Sequence, residues 1–147
     1  MAFKMVVAHD YGRESDRALQ WASDFVRGIN GELVLLHVIL VPPPPIRKVP
    51  LIPALRLSED PEESLRKLRE IAEHCGVQAQ VDVVETNDAG RGIVQRAKEL
   101  GADAIAVAVT TPGRSSLARV FTGSVTDYIV HHAGCAVMAV PVSPTLH

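Results

Sequence analysis

Short, continuous apolar runs alternate along the chain with segments in which apolar residues recur at helical spacing. Residues 5–8 form a run typical of a strand that is buried on both faces, and polar and turn residues follow at 9–12. Apolar side chains then recur every three or four positions up to residue 29, which predicts a helix with Ser15 as its N-cap. Residues 33–41 form a second buried run, in which His37 is the only polar residue. Together these segments predict a parallel strand–helix–strand unit.

A proline-rich stretch at residues 42–57 interrupts this alternation. Proline lacks an N–H donor and restricts the residue before it, so the stretch predicts a long loop. The piece that precedes it is too short to be a domain, which favours a surface excursion or a lid over a linker between domains. Asp60 as an N-cap and Pro61 at the first helical position then predict a second helix.

The remainder of the chain continues the same alternation. Alternating apolar residues at 77–83 predict a half-exposed strand, and Asp88 and Gly101 mark the start and the end of a third helix. A buried strand at 104–109, a helix from near Ser124 and a last strand at 136–140 complete the pattern. The order predicts an α/β fold with an open, mostly parallel five-stranded sheet and helices on both faces. Ligands are expected at the carboxyl ends of its strands.

Composition excludes several classes of protein. A length of 147 residues with 47% hydrophobic and 22% charged residues predicts one folded domain, residues 1–147. The formal net charge of -2 and the lack of a basic run argue against a nucleic-acid partner. No apolar run approaches the ~20 residues of a membrane span, and the first residues lack the pattern of a signal peptide. Cys75 and Cys135 form no CxxC pair, which favours a reducing compartment; we expect a cytoplasmic location.

The most informative candidate site is the loop that follows the fourth predicted strand. Gly113 and Gly123 permit close approach of the backbone to a ligand, and the first amides of the next helix are unpaired donors at the positive end of its dipole. An anion is therefore expected there, with Ser124 as a further donor and Arg114 as a charge partner. Turn formation and helix capping are the alternative roles for the same glycines and serine.

A second candidate is Asp10, which directly follows the first strand. Its carboxylate can accept hydrogen bonds from a ribose hydroxyl or an adenine amino group, or from backbone amides in the turn before the first helix. The adjacent His131 and His132 point about a hundred degrees apart on a helix and predict no metal site. Residues 90–92, Gly-Arg-Gly, lack the context of a dinucleotide fingerprint, and neither a Gly-Lys-Ser/Thr loop nor a Gly-x-Ser-x-Gly elbow occurs.

The chain resembles the universal stress protein family. ATP-binding members of that family carry glycine, two residues, glycine, nine residues, glycine and then serine or threonine, and Gly113, Gly123 and Ser124 match the last part of this pattern. The opening Val-Val-Ala-His-Asp at 6–10, Leu-Leu-His-Val at 35–38 and the closing Gly-Cys-Ala-Val-Met-Ala-Val-Pro at 134–141 are also similar to the family. The resemblance covers essentially the whole chain except the proline-rich loop.

The resemblance implies a Rossmann-like fold of the adenine nucleotide alpha hydrolase type and a regulatory role in the stress response. It further implies ATP as the ligand, with Mg²⁺ as its possible counterion, and a homodimer formed through the last strand, Ala136, Val137, Met138, Ala139 and Val140. Asp10 is then expected to hold the adenosine, and the backbone around Val38 to lie near the base. Any hydrolysis of ATP is expected to be slow or coupled to a partner. The implied site residues are Ala8, His9, Asp10, Val38, Thr110, Gly113, Arg114, Gly123, Ser124 and Val125.

The chain departs from the family's pattern at two positions. Thr110 occupies the place of the first glycine, and Pro112, which offers no amide to a phosphate, directly precedes Gly113. Three hypotheses therefore stand side by side. The leading one is an adenine-nucleotide-binding regulatory protein. The alternatives are a nucleotide-independent dimeric interaction module, in which these two residues close the phosphate site, and a slow phosphohydrolase.

Overall fold

The computed structural model describes residues 2–41, 59–110 and 123–142, and these form an α/β fold in which every strand pair is parallel. The sheet has five strands in the order β3-β2-β1-β4-β5. The strands are β1 (Lys4–His9), β2 (Glu32–Leu40), β3 (Gln80–Thr86), β4 (Ala104–Thr110) and β5 (Ala136–Val142). The helices are α1 (Arg13–Gly28), α2 (Pro61–His74), α3 (Ala89–Leu100) and α4 (Gly123–His132). The predicted fold class is confirmed.

The sheet separates two apolar layers because successive side chains of a strand point to opposite faces. Val6, Leu36 and Ile105 pack with Ile93 of α3 and Ile129 of α4 on one face. The other face carries Met5, Val7 and Leu35, which pack with Leu19 of α1 and Leu68 of α2. Each fully buried side chain of this size contributes roughly 1.5–3 kcal/mol, so the central strands are the most strongly stabilised part of the sheet.

Three helix ends follow the predicted signals, and one departs from its predicted signal. The carboxylates of Asp60 and Asp88 accept hydrogen bonds from first-turn amides of α2 and α3, and Gly101 ends α3 in the left-handed conformation at φ 69°. The prediction of Ser15 as the N-cap of α1 is wrong, because the cap position is Gly12 and the helix begins at Arg13. Ser15 is buried in the first turn instead, where its hydroxyl bonds to Asp10.

The edges of the sheet are β3 and β5, so the last strand of the chain lies at an edge. The predicted proline-rich loop lies outside the described residues. Both cysteines are free thiols. Within the described ranges, no helix combines the length and the hydropathy that a membrane crossing requires.

Candidate functional site

The topology creates a crevice at the carboxyl end of β1. This strand lies between β2 and β4, and its last residue, His9, pairs with His37. Beyond that pair, β2 continues through Val38, Ile39 and Leu40. On the other side, β4 runs on to Thr110. Because the winding direction reverses at β1, this edge is where a doubly wound sheet binds its ligands.

Asp10 opens the turn that leads from β1 into α1. Its Oδ1 accepts the Gly12 amide at 2.9 Å and the Ser15 hydroxyl at 2.8 Å. The Ser15 oxygen also accepts the Asp10 amide, at 3.2 Å. The turn role that the sequence left open for Asp10 is therefore present in the structure. Among the residues that the structure describes, no donor bonds to the second carboxylate oxygen, Oδ2.

His9 is fully buried, and both of its ring nitrogens are committed to protein partners. Nδ1 accepts the Tyr11 amide at 2.9 Å, so the proton of the neutral ring is on Nε2, which donates to Asp16 Oδ1 at 2.7 Å. Burial lowers the pKa of His9 below 6.5, although the hydrogen bond that His9 donates to Asp16 and the charge of Asp16 act in the opposite direction. The His9 side chain therefore stabilises the turn, and both of its ring nitrogens are already bonded to protein atoms rather than available to a ligand.

His37 and Glu59 form the second polar pair of the site. His37 is buried; its Nδ1 lies 2.8 Å from the backbone carbonyl oxygen of His9 and its Nε2 lies 3.0 Å from Glu59 Oε2. Both ring nitrogens face acceptor oxygens, so the two hydrogen bonds together require a proton on each nitrogen. The same carboxylate oxygen accepts hydrogen bonds from Ser64 Oγ at 2.8 Å and Tyr11 Oη at 3.1 Å. Desolvation raises the pKa of Glu59, but the hydrogen bonds from Ser64, His37 and Tyr11 outweigh it and hold the pKa below its ordinary value.

Tyr11 links these two parts of the site. Its ring stacks on that of His37, with centroids 3.9 Å apart and planes inclined by 17°, and Lys67 Nζ lies 5.4 Å from the ring centroid. Burial raises the pKa of Tyr11 to about 12, so its hydroxyl stays protonated and donates to Glu59 at neutral pH. We call Tyr11, His37, Glu59 and Ser64 the Tyr11 clasp.

Sequence reasoning did not identify three members of the Tyr11 clasp, namely Tyr11, Glu59 and Ser64. Tyr11 and Glu59 are 48 residues apart, and no spacing rule joins them. One signal was available: His37 interrupts an otherwise apolar buried strand, and a buried polar group requires partners. That signal indicates that partners exist, but it does not identify them.

The remaining predicted site residues occupy defined places at the same edge, apart from two. Ala8 and Val38 are buried in the core, so contacts with a ligand are left to their main-chain atoms. Thr110 ends β4, and its backbone is paired with Val142. The predicted Gly113 and Arg114 lie in residues 111–122, outside the described part of the chain.

The start of α4 carries the last of the predicted site residues. Gly123 and Ser124 are its first two residues and both are exposed, whereas Val125 is half-buried and packs against the core. A Cβ built at Gly123 meets no atom of the described residues within 4 Å. Since α4 follows β4 in the chain, its N-terminus is expected at the same edge of the sheet as Asp10.

The other histidines form no second site within the described residues. His131 and His132 lie at the exposed end of α4, where each Nδ1 contacts the carbonyl four residues earlier, and the ring of His132 stacks on Tyr128. The described ranges hold no group of three or more His, Cys, Asp or Glu side chains placed to bind a metal ion.

Comparison with known proteins links this geometry to a family. Residues 1–141 match the profile of the Universal stress protein family. The chain is 30% identical over 141 residues to Universal stress protein MJ0531 of Methanocaldococcus jannaschii, covering 93% of this chain and 81% of that protein.

Solved structures show the same fold at lower identity. One is a universal stress protein of Archaeoglobus fulgidus in complex with dAMP, with a TM-score of 0.65, 18% identity and coverage of 94% of this chain and 97% of the other. Another is a universal stress protein family protein of Arabidopsis thaliana with AMP bound. Its TM-score is 0.58 and its identity 23%, and the match covers 95% of this chain and 91% of the other.

Proposed function

The chain belongs to the universal stress protein family, and on this premise we propose that it binds an adenine nucleotide as a regulatory ligand at the carboxyl end of β1. One observation carries the proposal: Asp10 lies at the switch point of the sheet, and its Oδ2 has no donor among the described residues, while Oδ1 is held by Gly12 and Ser15. A carboxylate with one fixed and one uncommitted oxygen is suited to accept a ribose hydroxyl.

Several of the other site residues have a role in this proposal. The backbone at Val38, beyond the last pairing with β1, contacts the base. The start of α4, with Gly123 and Ser124, receives the phosphates, because the positive end of the helix dipole favours an anion there. Gly113, Arg114 and Thr110 complete the phosphate side. ATP, with Mg²⁺ on its phosphates, is the proposed ligand, and dAMP and AMP are the ligands of the two structural relatives described above.

Titration calorimetry with AMP and with ATP, each with and without Mg²⁺, tests the proposal. Asp10→Ala should weaken the binding of either nucleotide by roughly 10- to 100-fold, because a hydrogen bond to a charged group contributes about 1.5–3 kcal/mol. The matched control is Asp24→Ala, which removes an exposed carboxylate of α1 and should leave the affinity unchanged. The absence of any heat of binding at millimolar nucleotide would exclude the proposed ligand.

A second candidate function is supported by Thr110 and Pro112. In this alternative the phosphate side is closed, and the protein is a dimeric interaction module that needs no nucleotide. The double substitution Thr110→Gly and Pro112→Gly should then create or increase affinity for ATP while leaving that for AMP nearly unchanged. If the double variant and the wild type bind ATP with equal affinity, that result would argue against this explanation.

We also propose that the protein forms a homodimer through β5. This strand is an edge of the sheet, and an edge strand leaves backbone donors and acceptors available for pairing with a second chain. A two-fold axis that relates two copies of β5 makes a self-complementary interface.

A further inference from the structure

Tyr11 has an unfavourable backbone conformation at the centre of the proposed site. Its φ is 70°, in the left-handed region that a bulky side chain rarely adopts. Such a conformation persists only where the surroundings impose it, and residues of this kind concentrate at ligand sites. The strain therefore raises the question of what holds Tyr11 and what its conformation achieves.

Three contacts with residues outside its own turn hold Tyr11. Its amide donates to His9 Nδ1 at 2.9 Å, its ring stacks on His37, and its hydroxyl donates to Glu59 Oε2 at 3.1 Å. Glu59 is in turn held by Ser64 Oγ at 2.8 Å. The contacts come from β1, from β2 and from the residue that precedes the N-cap of α2, so their combined effect is to lock one conformation of the turn.

The conformation of Tyr11 determines the position of the Asp10 carboxylate. The Gly12 amide bonds to Asp10 Oδ1 across Tyr11, at 2.9 Å, so this contact depends on the backbone angles of the residue between them. Relaxation of Tyr11 to a negative φ would reorient the peptide that carries this amide. Asp10 would then lose one of the two donors that fix Oδ1 and, with it, the fixed orientation of Oδ2.

We propose that Tyr11 and Glu59 are positioning residues for Asp10. The Tyr11 clasp holds the strained turn, and the turn presents one carboxylate oxygen of Asp10 to the ribose of the nucleotide. The inference rests on the proposed function, and it adds that affinity for the nucleoside part is controlled by residues that do not contact the ligand.

Calorimetry on the full chain tests the effect on affinity. Glu59→Gln replaces the carboxylate that receives three hydrogen bonds and should weaken AMP and ATP by the same factor, about tenfold. Tyr11→Phe removes only the hydroxyl and should produce a smaller loss of the same kind. The matched control is Glu62→Gln, an exposed glutamate in the first turn of α2, which should bind as the wild type does. Wild-type affinity in Glu59→Gln would overturn the proposal.

A second comparison separates positioning from general destabilisation. In an Asp10→Ala background the oxygen to be positioned is absent, so Glu59→Gln should cause no further loss of AMP affinity. The same additional loss in both backgrounds would show that Glu59 acts by another route and would overturn the proposal. If Glu59→Gln does not fold, as judged by its thermal melt, Tyr11→Phe takes its place in this comparison.

A nucleotide-free measurement keeps this inference distinct from the proposed function. The backbone amide resonances of Asp10, Tyr11 and Gly12 should shift in Glu59→Gln and remain in place in Glu62→Gln. Unchanged resonances in Glu59→Gln would overturn the positioning role even if the wild type binds AMP. A wild type that binds no nucleotide, in contrast, would overturn the proposed function and the ribose role of Asp10, whatever the resonances show.

Discussion

His9 shows how burial converts one side chain into a determinant of pH-dependent stability. Its ring is neutral in the fold, with Nδ1 as acceptor and Nε2–H as donor, and protonation would break the bond from the Tyr11 amide. Charging this ring therefore disrupts the same turn that carries Asp10. The free-energy cost of protonating His9 in the fold means that the folded chain has a lower proton affinity at this residue than the unfolded chain.

We expect the folded protein to lose stability below pH 6.5. Burial lowers the pKa of His9 from 6.5 in the folded state, so between the folded and the unfolded pKa the unfolded chain binds more protons. The contribution of His9 is fully present above pH 6.5 and falls as the pH is lowered through this window. In His9→Gln, whose amide offers an acceptor and a donor but does not titrate, the midpoint of thermal unfolding should depend less on pH between 7 and 5.

His131→Gln is the matched control, because that histidine is exposed at the end of α4. Its melting curves should show the pH dependence of the wild type. A slope in His9→Gln that is as steep as the wild-type slope would exclude His9 as the cause and direct attention to the carboxylates of the site.

At the scale of elements, close contacts of α3 with a neighbouring helix and a neighbouring strand explain two glycines whose spacing is also found in ligand-binding loops. Residues 90–92, Gly-Arg-Gly, lie inside α3, where Gly90 faces the ring of Tyr128 on α4 and Gly92 faces Thr86 at the end of β3. A Cβ added at Gly92 would lie 2.6 Å from Thr86 Cγ2, closer than real Cβ atoms approach. The two glycines thus permit the packing of α3 and need no ligand to explain them.

Gly92→Ala should destabilise the protein by about 1–3 kcal/mol in chemical denaturation, because overpacking forces the neighbouring strand to shift. Thr86→Ser removes the clashing methyl group and keeps the hydroxyl that bonds to Asp88, so the double variant should recover much of the loss. Gly28→Ala is the control, since no atom of the described residues beyond its chain neighbours and its own helix backbone lies within 4 Å of its Cβ position. A Gly92→Ala variant as stable as the wild type would contradict this account of α3 packing.

At the scale of the whole molecule, the free edge of β5 determines how two copies can associate. Ala139 is the central residue of β5, and its side chain is exposed. In a two-fold antiparallel pairing centred on this strand, Ala139 of one copy lies near Ala139 of the other. A charge placed there would be repelled by its own symmetry mate.

Ala139→Glu should therefore convert the proposed dimer into a monomer, as measured by light scattering coupled to size exclusion. The control is Gln95→Glu, which adds the same charge at an exposed position of α3 and should leave the molar mass unchanged. A monomeric wild type would refute the dimer itself, whereas a dimeric Ala139→Glu would place the interface on another surface.

The alternation of apolar runs and helical periodicity was sufficient to predict the fold. Buried parallel strands require nearly continuous apolar sequence, and their covering helices require one apolar stripe, so both patterns are local in the chain. The caps at Asp60 and Asp88 were predictable for the same reason, since the donor lies within three residues of the acceptor. Ser15 had the right chemistry for a cap but lies three residues beyond Gly12, because the Asp10 turn starts the helix earlier.

The candidate site was predictable only in part. Asp10 could be identified because it follows a buried strand, and the residues around Gly123 because their spacing resembles a family motif. Nothing in the sequence joins Tyr11 to His37 or Glu59 to either, since their contacts arise from β1, β2 and α2 meeting at one edge.

Local physical chemistry thus accounts for the strands, the helices and the place where a ligand is expected, because hydrophobic periodicity, helix hydrogen bonds and helix caps depend on neighbours in the chain. The partners of the buried His9 and His37 and the left-handed turn at Tyr11 came from the folded arrangement. Satisfying a buried polar group requires atoms that are close in space, and sequence distance does not reveal which atoms those are.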